Sequence, residues 1–219
     1  MIRILIADDH DILRAGLKHI LSDSGDIVVG GEASNGVEAL ALLRDGHWDA
    51  IVLDLTMPGR NGIELIKQIK SEFPSVAILI LSMHKEDIYA VRALKAGAAG
   101  YLCKDNAEAM LADAIRKVAR GGLFINQSVA ESFTRNTLQG NNSLLPHNSL
   151  TDRNYQIFLM LVHGLGVSEI GRRLNLSVKT VSTHKANIMV KMGLSNTAEM
   201  VRYAVQHGLI DDDPLFPVE

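Results

Sequence analysis

The sequence predicts an α/β protein: a doubly wound, five-stranded parallel sheet followed by a small all-α unit of four helices that contains a helix-turn-helix. Three observations predict it. Over residues 1–122, five short apolar runs alternate with stretches of helical period. After Leu150 the strand pattern stops and only helical stretches follow. The charge also changes sign between these parts: residues 1–122 carry 14 Lys and Arg against 17 Asp and Glu, whereas residues 148–210 carry 7 against 3.

In the first part, "IRILIA", "IVVGGEA", "AIVLD", "AILILS" and "GYLCK" read as strands. They are β-branched, apolar and bounded by turn residues. Between them lie helical stripes such as Leu13, Gly16, Leu17, Ile20 and Leu21, or Leu111, Ala114, Ile115 and Val118. Strands alternating with helices pair in parallel through right-handed crossovers, which puts helices on both faces of the sheet. Strands that are apolar throughout fit burial on both faces.

From Gly121 and Gly122 the alternation lapses. Ser128 with Glu131 resembles a capping box and predicts a short helix to about Asn136. The stretch "TLQGNNSLLPHNS" reads as an exposed linker. Four helices are then expected. The first starts at Thr151, carries Ile157, Phe158, Leu161, Val162 and Leu165 on one stripe and stops at Gly164 or Gly166. A short second helix ends near Asn175, a third runs from the Ser177 cap to Gly193, and "TAEMVRYAVQHGL" is the fourth. The three-residue turn between the second and third makes a helix-turn-helix. The organisation read from this is 1–122, a linker region 123–147, 148–210, and an acidic tail 211–219.

Composition narrows the function classes. With 219 residues, 47% hydrophobic and 21% charged, the chain is ordinary for a soluble globular protein. Nowhere do apolar residues continue long enough to cross a bilayer, so a cytoplasmic location is expected. One cysteine, Cys103, excludes an internal disulfide. No Cys or His pair stands at zinc-ligand spacing, and the eight histidines are scattered and mostly expected at the surface.

The chemistry is expected at the strand ends. In a doubly wound sheet, ligands bind at the carboxyl ends of the strands. Those ends here read Asp8 and Asp9, Asp54, Ser82 and Lys104. Three crowded carboxylates repel one another unless a cation sits among them, and a few hard oxygen ligands favour Mg²⁺. With that charge present, Asp54 can act as a nucleophile toward phosphorus, with Lys104 and Ser82 contacting phosphoryl oxygens. Taken singly, Asp8 or Asp9 could merely cap a helix, and Ser82 and Lys104 could be surface residues. The set together, with "MPG" directly after the Asp54 turn, favours a phosphoryl site.

The segments "ADDH", "LDLTMPGRNGIEL", "ILSMH" and "AGAAGYLCKD" resemble the receiver domain of two-component response regulators, a flavodoxin-like fold, over residues 1–122. The resemblance implies that Asp54 accepts a phosphoryl group from a histidine kinase. It also implies that Mg²⁺ is held by Asp9, Asp54 and the backbone carbonyl of Thr56, with Asp8 in support. Ser82 would turn toward the phosphoryl group while Tyr101 moves inward. Asn61 stands where that family usually has Asp.

In the basic part, Val181, Ile188 and Met192 share one stripe of the third helix, while Lys179, Ser182, Thr183 and Ala186 fall opposite, flanked by Lys185, Asn187 and Lys191. Such residues suit base edges and phosphates in a major groove. Periodicity alone fits a solvated helix of a protein-binding bundle equally well. The run "GVSEIGRRLNLSVKTVSTHKANIMVKMGLSN" decides between them, because it is similar to the LuxR-type helix-turn-helix domain over residues 148–210. By that likeness residues 178–192 form the recognition helix. Lys179, Ser182, Thr183 and Lys185 would face DNA, Lys191 would meet phosphate, and the last helix would pair two subunits. Asp152, Asn154, Tyr155 and Gln156 depart from the family pattern, and Ser182 and Ala186 replace frequent basic residues.

Both resemblances together imply a regulator of the NarL/FixJ subgroup and not an enzyme. Its expected partners are double-stranded DNA, a sensor histidine kinase and, on activation, a second copy of the chain. Two rivals are a phosphorylation-independent dimeric DNA-binding regulator and an aspartyl-phosphate phosphatase. The second lacks both an acid/base carboxylate at position 56, which is Thr, and an insertion large enough for a substrate cap.

Overall fold

The computed structural model describes residues 1–55, 57, 62–82, 87–138 and 145–210, with the side chains of 87, 88, 128, 132 and 135–138 also outside the described set. Thr56, Asn61, His84, the "PG" of the Asp54 turn and the acidic tail therefore lie outside the described residues.

Two compact units are present, residues 1–138 and 139–219. In the first, β1 (Ile2–Ala7), β2 (Ile27–Ala33), β3 (Ala50–Asp54), β4 (Ala77–Ser82) and β5 (Gly100–Cys103) alternate with α1 (Asp11–Ser22), α2 (Gly36–Asp45), α3 (Gly62–Glu72), α4 (Asp87–Ala96) and α5 (Ala107–Ala119). The strands form one parallel sheet in the order β2-β1-β3-β4-β5, the architecture the alternation predicts.

Every residue of β3, β4 and β5 is buried, as their unbroken apolar runs require. On one face Leu5, Ile51, Leu53, Ile78 and Ile80 pack with α2 and α3 residues such as Leu40, Ile66 and Ile69. On the other, Ile4, Ile6, Val52, Leu79 and Leu81 pack with Leu17, Leu21, Leu111 and Ile115. Each such side chain stabilises the fold by roughly 1.5–3 kcal/mol relative to exposure. The β1–β2 register slips once, between Ile4 and Leu5.

The chain beyond α5 covers the sheet edge. Phe124 bridges Gly100, its N–H donating to Ala99 O and its carbonyl accepting from Tyr101 N–H. A further helix, α6 (Gln127–Leu138), follows. It starts earlier than the Ser128 reading expected, because Asn126 Oδ1 accepts from the Val129 N–H at 2.8 Å. Val129 is fully buried with the α3–α4 side of the sheet.

The second unit holds α7 (Asp152–Val162), α8 (Val167–Leu174), α9 (Val178–Met192) and α10 (Thr197–Gln206). Thr151 and Ser177 cap α7 and α9 by accepting from Asn154 and Thr180 N–H, as expected from the sequence. Asn175 at φ 52 and Gly193 at φ 66 end α8 and α9 in the left-handed region. Part of the stretch expected as linker is a 3₁₀ turn, Pro146–Ser149. Its His147 is buried rather than at the surface, because Nδ1 lies 2.8 Å from the Tyr203 hydroxyl of α10. Among the described residues, no helix is long and apolar enough to cross a membrane.

Candidate functional site

The strand ends bring the acidic residues and the lysine to one place. Asp8 and Asp9 follow β1, Asp54 ends β3, Ser82 ends β4 and Lys104 follows β5. Asp8 and Asp54 are 1% exposed and Ser82 is fully buried. Lys104 Nζ lies 2.7 Å from Asp8 Oδ2 and 3.0 Å from Asp54 Oδ2. Ser82 stands in register with Cys103, the residue before Lys104. Tyr101 on β5 is 2% exposed, so it already occupies a buried position in this structure.

The backbone beneath Asp54 is tightly held. A Cβ on Gly62, at the start of α3, would sit 2.7 Å from the Leu55 carbonyl oxygen, so only glycine lets the helix approach the Asp54 turn this closely. Leu55 and Met57 are both buried beside it.

Electrostatics follow from the crowding. Burial raises the Asp9 pKa above the usual aspartate value; His10 pulls it down, and the charges of Asp54 and Asp8 push it up further. Burial alone would lower the Lys104 pKa, but the Asp54 charge and the Asp8 contact outweigh it and raise the value. Lys104 is therefore a fixed cation. It satisfies only part of the negative charge. Asp9 Oδ1 is buried without a hydrogen bond, and one ligand atom each from Asp8, Asp9, His10 and Asp54 lies within 4.8 Å of the others. Oxygen donors at this spacing, with Asp8 Oδ2 also buried without a hydrogen bond, fit a divalent cation. His10 joins the cluster although the strand-end pattern does not single it out; the run Asp8-Asp9-His10 is the signal that could have found it.

The second unit presents a separate surface. On α9 the buried side chains are Val181, Ile188 and Met192, the stripe the sequence predicts. Lys179, Ser182, Thr183, Ala186, Asn187 and Lys191 are exposed, and Lys185 is half-buried. His184 Nδ1 lies 2.7 Å from Asn154 Oδ1 on α7, which ties α9 to the helix behind it. Burial, helped by the charge of Arg153, lowers the His184 pKa, so this histidine adds no charge to the surface at neutral pH. The exposed face thus combines hydroxyls, an amide and two lysines on one helix, with the half-buried Lys185 beside the buried stripe.

Comparison with known proteins matches both units. The model of the response regulator receiver domain matches residues 4–116, and that of the bacterial regulatory proteins of the luxR family matches residues 148–204. Response regulator UvrY of Escherichia coli (strain K12) is 35% identical over 215 residues, covering 98% of this chain and 99% of that protein. Response regulator GacA of Pseudomonas viridiflava is 35% identical over 211 residues, covering 96% and 99%. Among solved structures, the RcsB response regulator of Salmonella typhimurium superposes with a TM-score of 0.70 at 27% identity, covering 94% of this chain and 97% of that one. RcsB of Salmonella enterica serovar Typhimurium bound to a promoter, in the presence of the phosphomimetic BeF3−, gives a TM-score of 0.67 at 27% identity, covering 94% and 98%.

Proposed function

This chain belongs to the response regulators that join a receiver domain to a LuxR-family helix-turn-helix domain, and from that membership we propose that it is a DNA-binding transcriptional regulator controlled by phosphorylation of Asp54. One observation carries the reading of the receiver. A buried carboxylate ends the central strand with an ammonium 3.0 Å away and an unsatisfied carboxylate oxygen in the same cluster.

In this reading residues 1–122 receive the phosphoryl group, 148–210 read DNA, 123–147 connect them, and 211–219 form an acidic tail. The donor is a sensor histidine kinase. The Asp54 carboxylate attacks the phosphorus in line, the P–N bond of the phosphohistidine breaks, and its electron pair leaves on the imidazole. An acyl phosphate on Asp54 results. Lys104 pairs with a phosphoryl oxygen, and the Ser82 hydroxyl donates a hydrogen bond to another. Asp9 and Asp54, with Asp8 behind them and the carbonyl of Thr56, would hold Mg²⁺. That ion supplies charge that neutralises the phosphoryl oxygens. Tyr101, already buried on β5, takes part with Ser82 in relaying the modification to the surface of the receiver.

On the DNA side, Lys179, Ser182, Thr183 and Lys185 face the major groove and Lys191 meets a phosphate. A helix-turn-helix places its second helix there, and paired subunits read half-sites with matching symmetry. RcsB, similar over most of its length, is known bound to DNA and as two dimers on two parallel DNAs. By analogy, phosphorylation favours a dimer of this chain. In this reading the chain acts on promoter DNA in the cytoplasm. The phosphatase alternative is not favoured, given the family and the Thr at position 56.

Gel-shift and sedimentation measurements on the full chain, before and after acetyl phosphate with Mg²⁺, test the proposal. Tighter DNA binding with a dimer after treatment, absent in Asp54→Asn, supports it. DNA binding that is equally tight and dimeric in both states would instead mark a phosphorylation-independent regulator.

A further inference from the structure

The open edge of the acidic cluster contains a nitrogen as well as oxygens. Asp8 Oδ1 accepts from the backbone N–H of His10 at 2.8 Å, and Asp8 Oδ2 lies 2.7 Å from the Lys104 ammonium. Asp54 Oδ2 is committed to Lys104. Asp9 Oδ1 makes no hydrogen bond, yet the His10 ring stands beside it: Nδ1 is 3.2 Å from Asp9 Oδ1 and 3.1 Å from Asp8 Oδ1. Adjacent ligands of an octahedral ion, each about 2.1 Å from the metal, lie roughly 3.0 Å apart. The ring nitrogen therefore sits at ligand spacing from two carboxylates, and its Asp9 neighbour, Oδ1, makes no hydrogen bond.

We propose that His10 is an imidazole ligand of the receiver's divalent cation and sets which cation the site prefers. The inference rests on the reading of Asp8, Asp9 and Asp54 as a metal site and deepens it. Mg²⁺ gains little from exchanging a water for imidazole, because it prefers oxygen donors. Later first-row divalent ions gain more, since imidazole suits them and affinity rises along the series from Mn²⁺ through Co²⁺ to Cu²⁺. The His10 side chain is 62% exposed, which leaves it free to turn toward an ion. In the tautomer that carries its proton on Nε2, the ring offers the Nδ1 lone pair in place of the Asp8 hydrogen bond. A purely structural His10 would only orient Asp8 and would affect all divalent ions alike.

The test is calorimetric titration of the full chain with MgCl₂ and, separately, with CoCl₂, following the visible Co²⁺ spectrum in parallel. Wild type is compared with His10→Ala and Asp9→Asn. His10 stands at the start of α1 but makes no side-chain capping bond, so its loss leaves the helix intact. The expected result for His10→Ala is a loss of Co²⁺ affinity of about tenfold or more, at least the loss caused by removing an outer-shell partner. Its Mg²⁺ affinity should fall far less than its Co²⁺ affinity, and the Co²⁺ spectrum should shift. Asp9→Asn should weaken both ions. Co²⁺ affinity unchanged in His10→Ala, or both ions weakened equally, overturns the assignment of His10. If Asp9→Asn weakens neither ion, the metal site itself is wrong, a distinct failure that removes the His10 proposal with it.

Discussion

The Lys104 ammonium lies 3.0 Å from Asp54 Oδ2, with the two side chains 5% and 0% exposed. Nearly removed from water, this pair and the neighbouring Asp8 hold the site together when no other cation is present. Removing the lysine leaves buried carboxylates facing one another. Lys104→Met should destabilise the metal-free receiver by about 3 kcal/mol, the scale of a broken buried ion pair. Mg²⁺ should restore more stability to the variant than it adds to wild type, because the ion takes over the missing charge. Thermal melts with and without MgCl₂ check this, and equal Mg²⁺-induced shifts in the two proteins would count against it.

The raised Asp9 pKa has a consequence for stability. Asp9 holds its proton more tightly folded than unfolded, so between its ordinary and its raised pKa the folded state binds more protons. Stability then falls as pH rises through that window and stays lower above it. Without metal, Asp9→Asn should melt higher than wild type at neutral pH, and the gap should close as pH is lowered through the raised Asp9 pKa. Melting curves in EDTA across that range give the comparison; a gap independent of pH would contradict the assignment.

On α9, buried and exposed positions should separate stability from DNA binding. Ile188 is fully buried, so Ile188→Ala should cost about 2–5 kcal/mol in the second unit. Val190, 82% exposed on the same helix, should tolerate alanine with little change. Lys179→Ala and Lys191→Ala should weaken DNA binding across sequences and reduce the salt slope by about 0.9 for each phosphate left without its lysine. Ser182→Ala or Thr183→Ala should change sequence preference more than salt slope. Denaturation and gel shifts at several salt concentrations test both halves.

Two glycines should respond to alanine in opposite directions. Gly193 ends α9 at φ 66, and an added Cβ would meet no other atom, so the cost of Gly193→Ala is conformational, about 1–2 kcal/mol. Gly16 lies within α1 with open space around it, and Gly16→Ala should stabilise by about 0.5–1 kcal/mol. Urea unfolding measures both signs.

The sheet was legible because β3 and β4 are apolar at every core position, which only a two-faced parallel sheet buries. The site was legible because β1, β3, β4 and β5 all end on the same edge, so residues far apart in the chain had to meet there. The caps Thr151 and Ser177 and the stops Asn175 and Gly193 act through neighbouring backbone groups, and they too were readable. Features that depend on partners distant in sequence were not. His147 has the local setting of a linker residue, but its burial is set by Tyr203 on α10. Asn126 displaces Ser128 as the residue opening α6, a choice fixed by where the Phe124 bridge delivers the chain to the helix. The pairing of His184 with Asn154 depends on how α7 and α9 cross, which no local pattern encodes. His10 escapes a search for zinc-type spacing for another reason: its ring meets the adjacent carboxylates Asp8 and Asp9 and no Cys or second His.

The most direct test of phosphoryl acceptance at Asp54 is intact-mass spectrometry of the full chain after incubation with acetyl phosphate and Mg²⁺, beside Asp54→Asn treated identically. The account predicts one added phosphoryl group in wild type and none in the variant. A folded wild type that gains no phosphoryl group, or a variant that gains one equally well, would contradict it.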